Sequence, residues 1–580
     1  MYLKWIVDII LVFLFGNKDV ASEQNARHVV ATTKYGEIIG FTDHIKFENQ
    51  SFQVQTYLGI PYAEPPTGHL RFEKPVMKAT LPSPFKAFKY SLRCPQNKLE
   101  LDTMSEDCLY LNIFTPSSSG ATTKPKAVMI WIHGGGFFEG YSDIYGGGVI
   151  SALSDVIVVT LNYRLGVLGF FSTHNTMAKG NYGLWDQHLA IRWVNENIAN
   201  FGGDRDNITI FGESAGSSSV IYQMIYLGNK CLFQRTIAES GTIAAWAVTH
   251  GNANYEHSIK FAESLGCSDL SNVSLCLKSK PEAEVISAAL QMRSFNEVNM
   301  TWAPVYDNDF VVSETYDILS ELSDPQYRLK YANFWEIDLM IGANNFDGAV
   351  YQDLFMLYIN NTTPTFISYN ISKHQFNDII VPRVIEGFLG EIPTKLSSDM
   401  TIFQYTDWED PYNMTKRLQN TLDILTDSLL NAHSISTAKS HVNAKTSTYV
   451  YQFSAKPPKS IVPIAPPLEG PHVACHSDEI PFVFGFADNI LKYWNFTVNI
   501  IKPSDYQLSR EMIKMWTSFA KSGSPSITKG KINQDIIWPK YDLFDEKYVE
   551  ITPSQWKFNQ RLRASQVDFL NLELPELQKK

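Results

Sequence analysis

The sequence predicts an α/β fold: a large, mostly parallel central sheet flanked by helices, with helical insertions over the carboxyl edge of the strands. Three observations predict it. Near-continuous apolar, β-branched runs recur along the 580 residues, as strands buried on both faces require. A segment with helical spacing lies between two of these runs. A Gly-x-Ser-x-Gly turn joins another run to a helix-compatible segment, the form that sets a serine on a sharp strand-to-helix turn with its hydroxyl exposed.

The elements follow in chain order. The run from Val128 to Ile132 is one strand and that from Val156 to Leu161 another. Leu184 to Ile198 then places Trp185, Leu189, Ile191, Trp193, Val194 and Ile198 at roughly helical spacing, with Asn200 and Gly202 past its end. Further strands are expected over Ile208 to Phe211, Ile337 to Ile341 and Tyr449 to Phe453. Such alternation argues for a sheet wrapped by helices. Residues 250–330 and 350–440 read as helical and loop-like insertions, and Pro457 to Pro471 as a long loop. No repeat or low-complexity linker divides the chain, so residues 22–580 read as a single catalytic domain.

A hydrophobic content of 44% with 19% charged residues describes a globular chain with a sizeable core. A formal charge of −11 and a pI near 5.7 disfavour nucleic acid or an anionic membrane surface as the main partner. Lys4 followed by the mostly apolar Trp5 to Phe15 resembles a secretory signal peptide over residues 1–21, cleaved within Gly16 to Ala21. Asp8 interrupts the stretch, which is short for a membrane span. Glu573 to Lys580 carries no apolar anchor signal and no retention tetrapeptide, so a secreted protein without a stable membrane anchor is expected. Sequons at Asn49, Asn207, Asn272, Asn299, Asn360, Asn361, Asn370, Asn413 and Asn495 agree with export.

Cys94 with Cys108, and Cys267 with Cys276, each close a short loop, which suits local disulfides in an oxidising compartment. Cys231 and Cys475 read as free, buried thiols. No Cys-x-x-Cys or His-Glu-x-x-His spacing occurs, so neither a metal nor another cofactor is expected.

The serine turn reads Phe211-Gly212-Glu213-Ser214-Ala215-Gly216, its glycines fitting where side chains would collide with neighbouring backbone. His133-Gly134-Gly135-Gly136-Phe137 follows the Val128 run. Successive glycines there can aim N–H groups at a developing oxyanion, and a Gly-rich loop upstream of such an elbow is the pairing described for esterases. The expected donors are Gly135, Gly136 and Ala215, each worth about 3 kcal/mol to a transition state. A serine needs a base, and His476 and His472 both qualify on the residues alone. Asp347, just after the Ile337 run, sits where loops at strand ends carry functional groups, although taken alone an Asp-Gly pair is more often an ordinary turn.

Taken together, these segments resemble the type-B carboxylesterase/cholinesterase family of α/β-hydrolases. Glu106 to Asn112 is similar to its second signature and Phe211 to Gly216 to its serine signature. Gly59 to Ala63, Asn162 to Arg164 and Phe201 to Asp204 also match family segments, so the likeness runs from about residue 28 to about residue 560. The resemblance implies an α/β-hydrolase fold, Ser214 as nucleophile, Asp347 as acid and His476 as base. His476 is preferred to His472 because it precedes the family pattern seen at Glu479 to Gly485. Disulfides Cys94–Cys108 and Cys267–Cys276 are also implied. The family's acid is usually glutamate, so Asp347 departs from the commoner form.

Within the family, cholinesterases stack choline on a tryptophan in the loop corresponding to Cys94–Cys108. Here that loop is short and holds none. Juvenile hormone esterases typically carry Gln where this chain has Glu213, which argues against hormone hydrolysis but leaves such an esterase as an alternative. What remains is an insect-type secreted serine carboxylesterase, hydrolysing small to medium apolar dietary, odorant or xenobiotic esters through an acyl-enzyme. A small-molecule ester is then the expected partner, with Trp246, Phe137 and Phe138 as pocket walls. The opposing class is a non-catalytic, neuroligin-like adhesion protein, since such members keep the fold and lose the triad. Because every triad position and the glycine loop are filled, the residues alone favour the enzyme.

Overall fold

The computed structural model describes residues 27–580 apart from 97–100, 118–123, 174–177, 244, 248–252, 270, 293–294, 297–298, 352–370, 443–444, 463–467, 469 and 529–534. The signal peptide expected over residues 1–21 lies outside the described residues, as does part of the Pro457 to Pro471 loop.

The first strands are β1 (His28–Thr33), β2 (Gly36–Phe47), β3 (Gln50–Pro61), β4 (Phe85–Lys86) and β5 (Tyr110–Pro116). Next come β6 (Lys126–Ile132), β7 (Ile157–Leu161), β8 (Gly203–Glu213) and β9 (Arg235–Glu239). A separate hairpin pairs β10 (Phe295–Asn296) with β11 (Asn299–Met300). The chain then supplies β12 (Asp338–Asn344), β13 (Thr448–Phe453), β14 (Lys547–Ile551) and β15 (Trp556–Gln560). Among the described residues the main sheet has thirteen strands in the order β1-β2-β3-β5-β7-β6-β8-β9-β12-β13-β14-β15, with β4 beside β2.

From β7 through β14 neighbours run parallel, whereas β1, β2, β3, β5 and β15 pair antiparallel at the two sides. The expected central runs are the parallel strands, because a strand covered on both faces carries an uninterrupted apolar series. β8 starts earlier than its apolar run, since Asp204 to Asn207 extend it through partly exposed positions. The strand order reverses around β6, which lies between β7 and β8. Outside the carboxyl ends of β6 and β8 is therefore the crevice where such sheets place their sites.

Two apolar layers sandwich the sheet. On one face lie α1 (Tyr182–Asn197) and α2 (Ala215–Ile225), packing residues such as Leu184, Trp193, Ile221 and Met224. The insertion that follows β12 includes α3 (Met414–Thr426) and α4 (Ala432–His441). On the other face α5 (Pro503–Ser522) buries Leu508, Met512, Met515, Trp516 and Phe519, the stripe of an amphipathic helix. The 250–330 region is helical over Ala253–Ser264, Val273–Ser279, Glu282–Gln291 and Thr315–Ser323.

Disulfides join Cys94 to Cys108 and Cys267 to Cys276. Such bonds persist in oxidising, extracytoplasmic spaces, which is where this domain belongs. Cys475 is free and buried, but Cys231 is free and exposed. Its backbone takes φ 64° in a surface turn, which turns the thiol away from the core. Asn49, Asn272 and Asn495 are exposed, and Asn207 and Asn413 are half-buried. Asn413 is engaged in capping α3 through Thr415 and Lys416. The Asn299 side chain, Asn360, Asn361 and Asn370 lie outside the described residues. Among the described residues no helix is long and apolar enough to cross a membrane.

Candidate functional site

The site begins at the junction of β8 and α2. Ser214 takes φ 58° and ψ −124° there, a sparsely populated conformation that costs on the order of 1–3 kcal/mol and must be enforced by its surroundings. The enforcement is close backbone packing. A Cβ on Gly216 would lie 2.0 Å from the Ile132 carbonyl oxygen, and one on Gly212 would lie 2.5 Å from the same atom. A Cβ on Gly134 would come within 2.6 Å of the Glu213 carbonyl oxygen and 3.0 Å of Ser214 Cβ. The loop after β6 thus lies directly against the elbow, and the Ser214 N–H donates to the Glu239 carbonyl at 2.9 Å. Gly135 and Gly136 have φ of 99° and 59°. Among the described residues the N–H groups of Gly135, Gly136 and Ala215 donate no hydrogen bond.

Asp347 follows β12 at the start of a short turn (Asp347–Tyr351). Its loop is zipped to the one carrying His476. The Phe346 N–H donates to the Ala474 carbonyl at 2.9 Å, and the Ala474 N–H donates to Asn345 Oδ1 at 2.9 Å. Asn345 Nδ2 donates to the His472 carbonyl at 2.7 Å, while the His472 side chain is exposed. The structure therefore brings His476, not His472, to Asp347. Nδ1 of His476 lies 2.5 Å from Asp347 Oδ1, and Asp347 Oδ2 accepts from Ser240 Oγ at 2.6 Å and from the Asn344 N–H at 2.7 Å.

The other side of the imidazole faces a second carboxylate. His476 Nε2 lies 3.1 Å from Glu213 Oε1, which also accepts from Ser477 Oγ at 2.6 Å. Among the described residues no hydrogen bond joins His476 to Ser214 Oγ. Burial pulls the His476 pKa down, but Glu213 and then Asp347 outweigh it and push it up to about 9. The two carboxylates therefore favour the protonated ring, both of whose nitrogens face them.

The three aromatic residues expected to wall a pocket separate. Phe137 is fully buried and packs edge-on against Phe170 at 5.2 Å. Trp246 is buried with its indole N–H donating to the Leu429 carbonyl at 3.0 Å. Both are core, because each fills internal volume or anchors backbone. Only Phe138 lies against the glycine loop, its ring 2.4 Å from a Cβ built on Gly136. Sequence reasoning missed Ser240, Asn344, Ser477 and Glu239, which orient or surround the triad positions. Ser240 carries one local signal, since it directly follows β9 at a strand's carboxyl end. Among the described residues no group of three His, Cys, Asp or Glu side chains is placed to hold a metal ion.

A serine elbow after β8, met by a glycine loop after β6 and by acid and imidazole loops around β12 and β13, defines an α/β-hydrolase scaffold. The chain belongs to the Carboxylesterase family, whose profile it matches over residues 27–570. Its similarity to individual proteins narrows the class. It is 32% identical to human (Homo sapiens) Neuroligin-2 over 613 aligned positions, covering 95% of this chain and 68% of that protein. The Mus musculus Neuroligin-2 gives the same identity and coverage. Neuroligin-3 of Mus musculus is 31% identical over 583 positions, covering 90% of this chain and 66% of that protein.

These relatives overturn the expected serine carboxylesterase and, with it, the small-molecule ester as partner. Neuroligin-like proteins are the non-catalytic adhesion class of this family, and the likeness extends over nearly the whole chain. Filled triad positions misled because a fold and its residue pattern can outlast a chemistry.

Proposed function

We propose that this chain is a neuroligin-like, non-catalytic extracellular adhesion module whose partner is another protein at a cell surface. The observation that carries this reading is the near full-length likeness to Neuroligin-2. The placement of His476 supports it, because an imidazole shared by two carboxylates ties three loops together. In this reading residues 22–580 act as one unit, and Ser214, His476, Asp347 and the Gly135, Gly136 and Ala215 donors serve as inherited architecture. A leader over residues 1–21 delivers the chain outside the cell in secreted form, which fractionation of medium against cells reads directly.

The test is adhesion itself. Beads coated with the purified chain should bind cells displaying extracellular proteins saturably, and Ser214→Ala beads should bind equally well. Absence of saturable binding across a broad panel of displayed proteins would overturn the reading.

A further inference from the structure

Beneath the elbow the parallel strands place four residues in one row. Glu213 on β8 pairs in register with Glu239 on β9, Glu239 pairs with Gly342 on β12, and Gly342 pairs with Tyr451 on β13. In-register residues of parallel strands project to the same face, here the face covered by α5. Gly342 has no side chain, and the Tyr451 ring leans over it, with Cδ1 2.4 Å from where a Cβ would stand. Trp516 on α5 closes the row from above, packing on Tyr451 at 5.3 Å and donating its indole N–H to Glu239 Oε1 at 3.0 Å. Glu479 enters from the His476 loop, and its Oε2 accepts from Asn344 Nδ2 at 2.5 Å.

Two features of this row need a common explanation. Glu213, Glu239 and Glu479 are all buried, yet among the described residues no Lys or Arg pairs with any of them, and of the three only Glu213 meets His476. In addition, Glu239 Oε2, Tyr451 Oη and Glu479 Oε1 are buried without a protein partner among the described residues. Unpaired buried carboxylates are very costly, whereas a carboxylic acid and a bridging water satisfy such atoms at little expense.

We propose that this row is a proton-loaded internal site, in which Glu239 and Glu479 stay as neutral carboxylic acids and a buried water bridges Glu239 Oε2, Tyr451 Oη and Glu479 Oε1. Glu239 and Glu479 each donate their carboxyl proton to that water, which in turn donates onward to Tyr451. Because the Glu239 carbonyl also holds the Ser214 N–H, the site ties the elbow to the sheet beneath it. Burial pushes Glu239 up to about 8, the Trp516 hydrogen bond pulls it partly back, and the Glu213 charge adds a smaller upward push. Burial and the Glu213, Glu239 and Asp347 charges push Glu479 well up. Tyr451, ringed by Glu239, Glu479, Asp347 and Glu213, stays protonated.

An acid whose folded pKa is raised gives its full contribution below its unfolded value of 4.5 and loses it as pH rises through about 8. Over that window each pH unit lowers the folding equilibrium constant by up to about tenfold per group. Thermal melting of the full chain from pH 5 to pH 9 tests this against Glu239→Gln, whose amide supplies the N–H that replaces the acid proton. The variant should match wild type at pH 5 and melt progressively higher than wild type towards pH 8. Parallel pH profiles for the two proteins would overturn the proposal. If the variant fails to fold, the infrared carbonyl stretch of protonated buried carboxyls in wild type carries the test. That band should be present at pH 6, weaken by pH 9 and shift in Tyr451→Phe; a missing band, or one unmoved by Tyr451→Phe, overturns the site.

Discussion

The protonation of His476 decides between a base and a structural cation, and it is directly measurable. The rise from 6.5 to about 9 corresponds to about 3 kcal/mol in favour of the imidazolium. Burial opposes that rise, so the charges at 2.5 Å and 3.1 Å must supply more than the net figure. The side chain is only 13% exposed, which leaves little solvent screening to discount. Because the folded pKa is raised, the contribution to stability is fully present below 6.5 and is lost as pH rises through about 9. Imidazole nitrogen shifts in a 15N-histidine-labelled chain, followed from pH 5 to pH 10, read the midpoint. His133, His433 and His441 are pulled down to about 4 by burial and stay neutral over this range, so they do not mask it. Glu213→Gln removes the largest favouring charge and should bring the midpoint down towards 6.5. A wild-type midpoint at or below 6.5, or one that Glu213→Gln leaves in place, would refute the reasoning.

Two further perturbations test the scaffold that holds this cluster. Gly216→Ala puts a Cβ 2.0 Å from the Ile132 carbonyl oxygen and 2.8 Å from His133 backbone, so the elbow cannot close and secreted yield should collapse; normal yield and melting would contradict that packing. Arg164 donates to Asp186 through Nε at 2.7 Å and Nη2 at 2.7 Å with both side chains buried. Asp186→Asn strands the guanidinium charge and should cost about 3–5 kcal/mol, read as a large drop in melting temperature; an unchanged melt would show that the pair is not needed.

Much of this architecture was legible in the sequence because its central strands are covered on both faces, as the runs of β6, β7 and β12 show. The helix expected over Leu184 to Ile198 forms as α1, two residues earlier at its start, because Tyr182 and Gly183 are drawn in by tertiary packing. The antiparallel strands β1, β2 and β15 were not anticipated. They are partly exposed along their length, and their apolar stretches are too short to stand out as buried runs. Of the site, the elbow, the glycine loop and the His476 pattern were readable as local motifs. The clamp of Glu213 on His476 and the row Glu213-Glu239-Gly342-Tyr451 were not, since contacts between separate loops and register between strands leave no local trace in the sequence. Function was the least legible level, because the residues that define a hydrolase scaffold are also those that a non-catalytic descendant can retain.

Turnover of a p-nitrophenyl ester by the purified chain beside its Ser214→Ala variant decides whether Ser214 has a hydrolytic role. Equal, background-level release is expected from both proteins. Release that is well above background in wild type and abolished in Ser214→Ala would contradict that expectation.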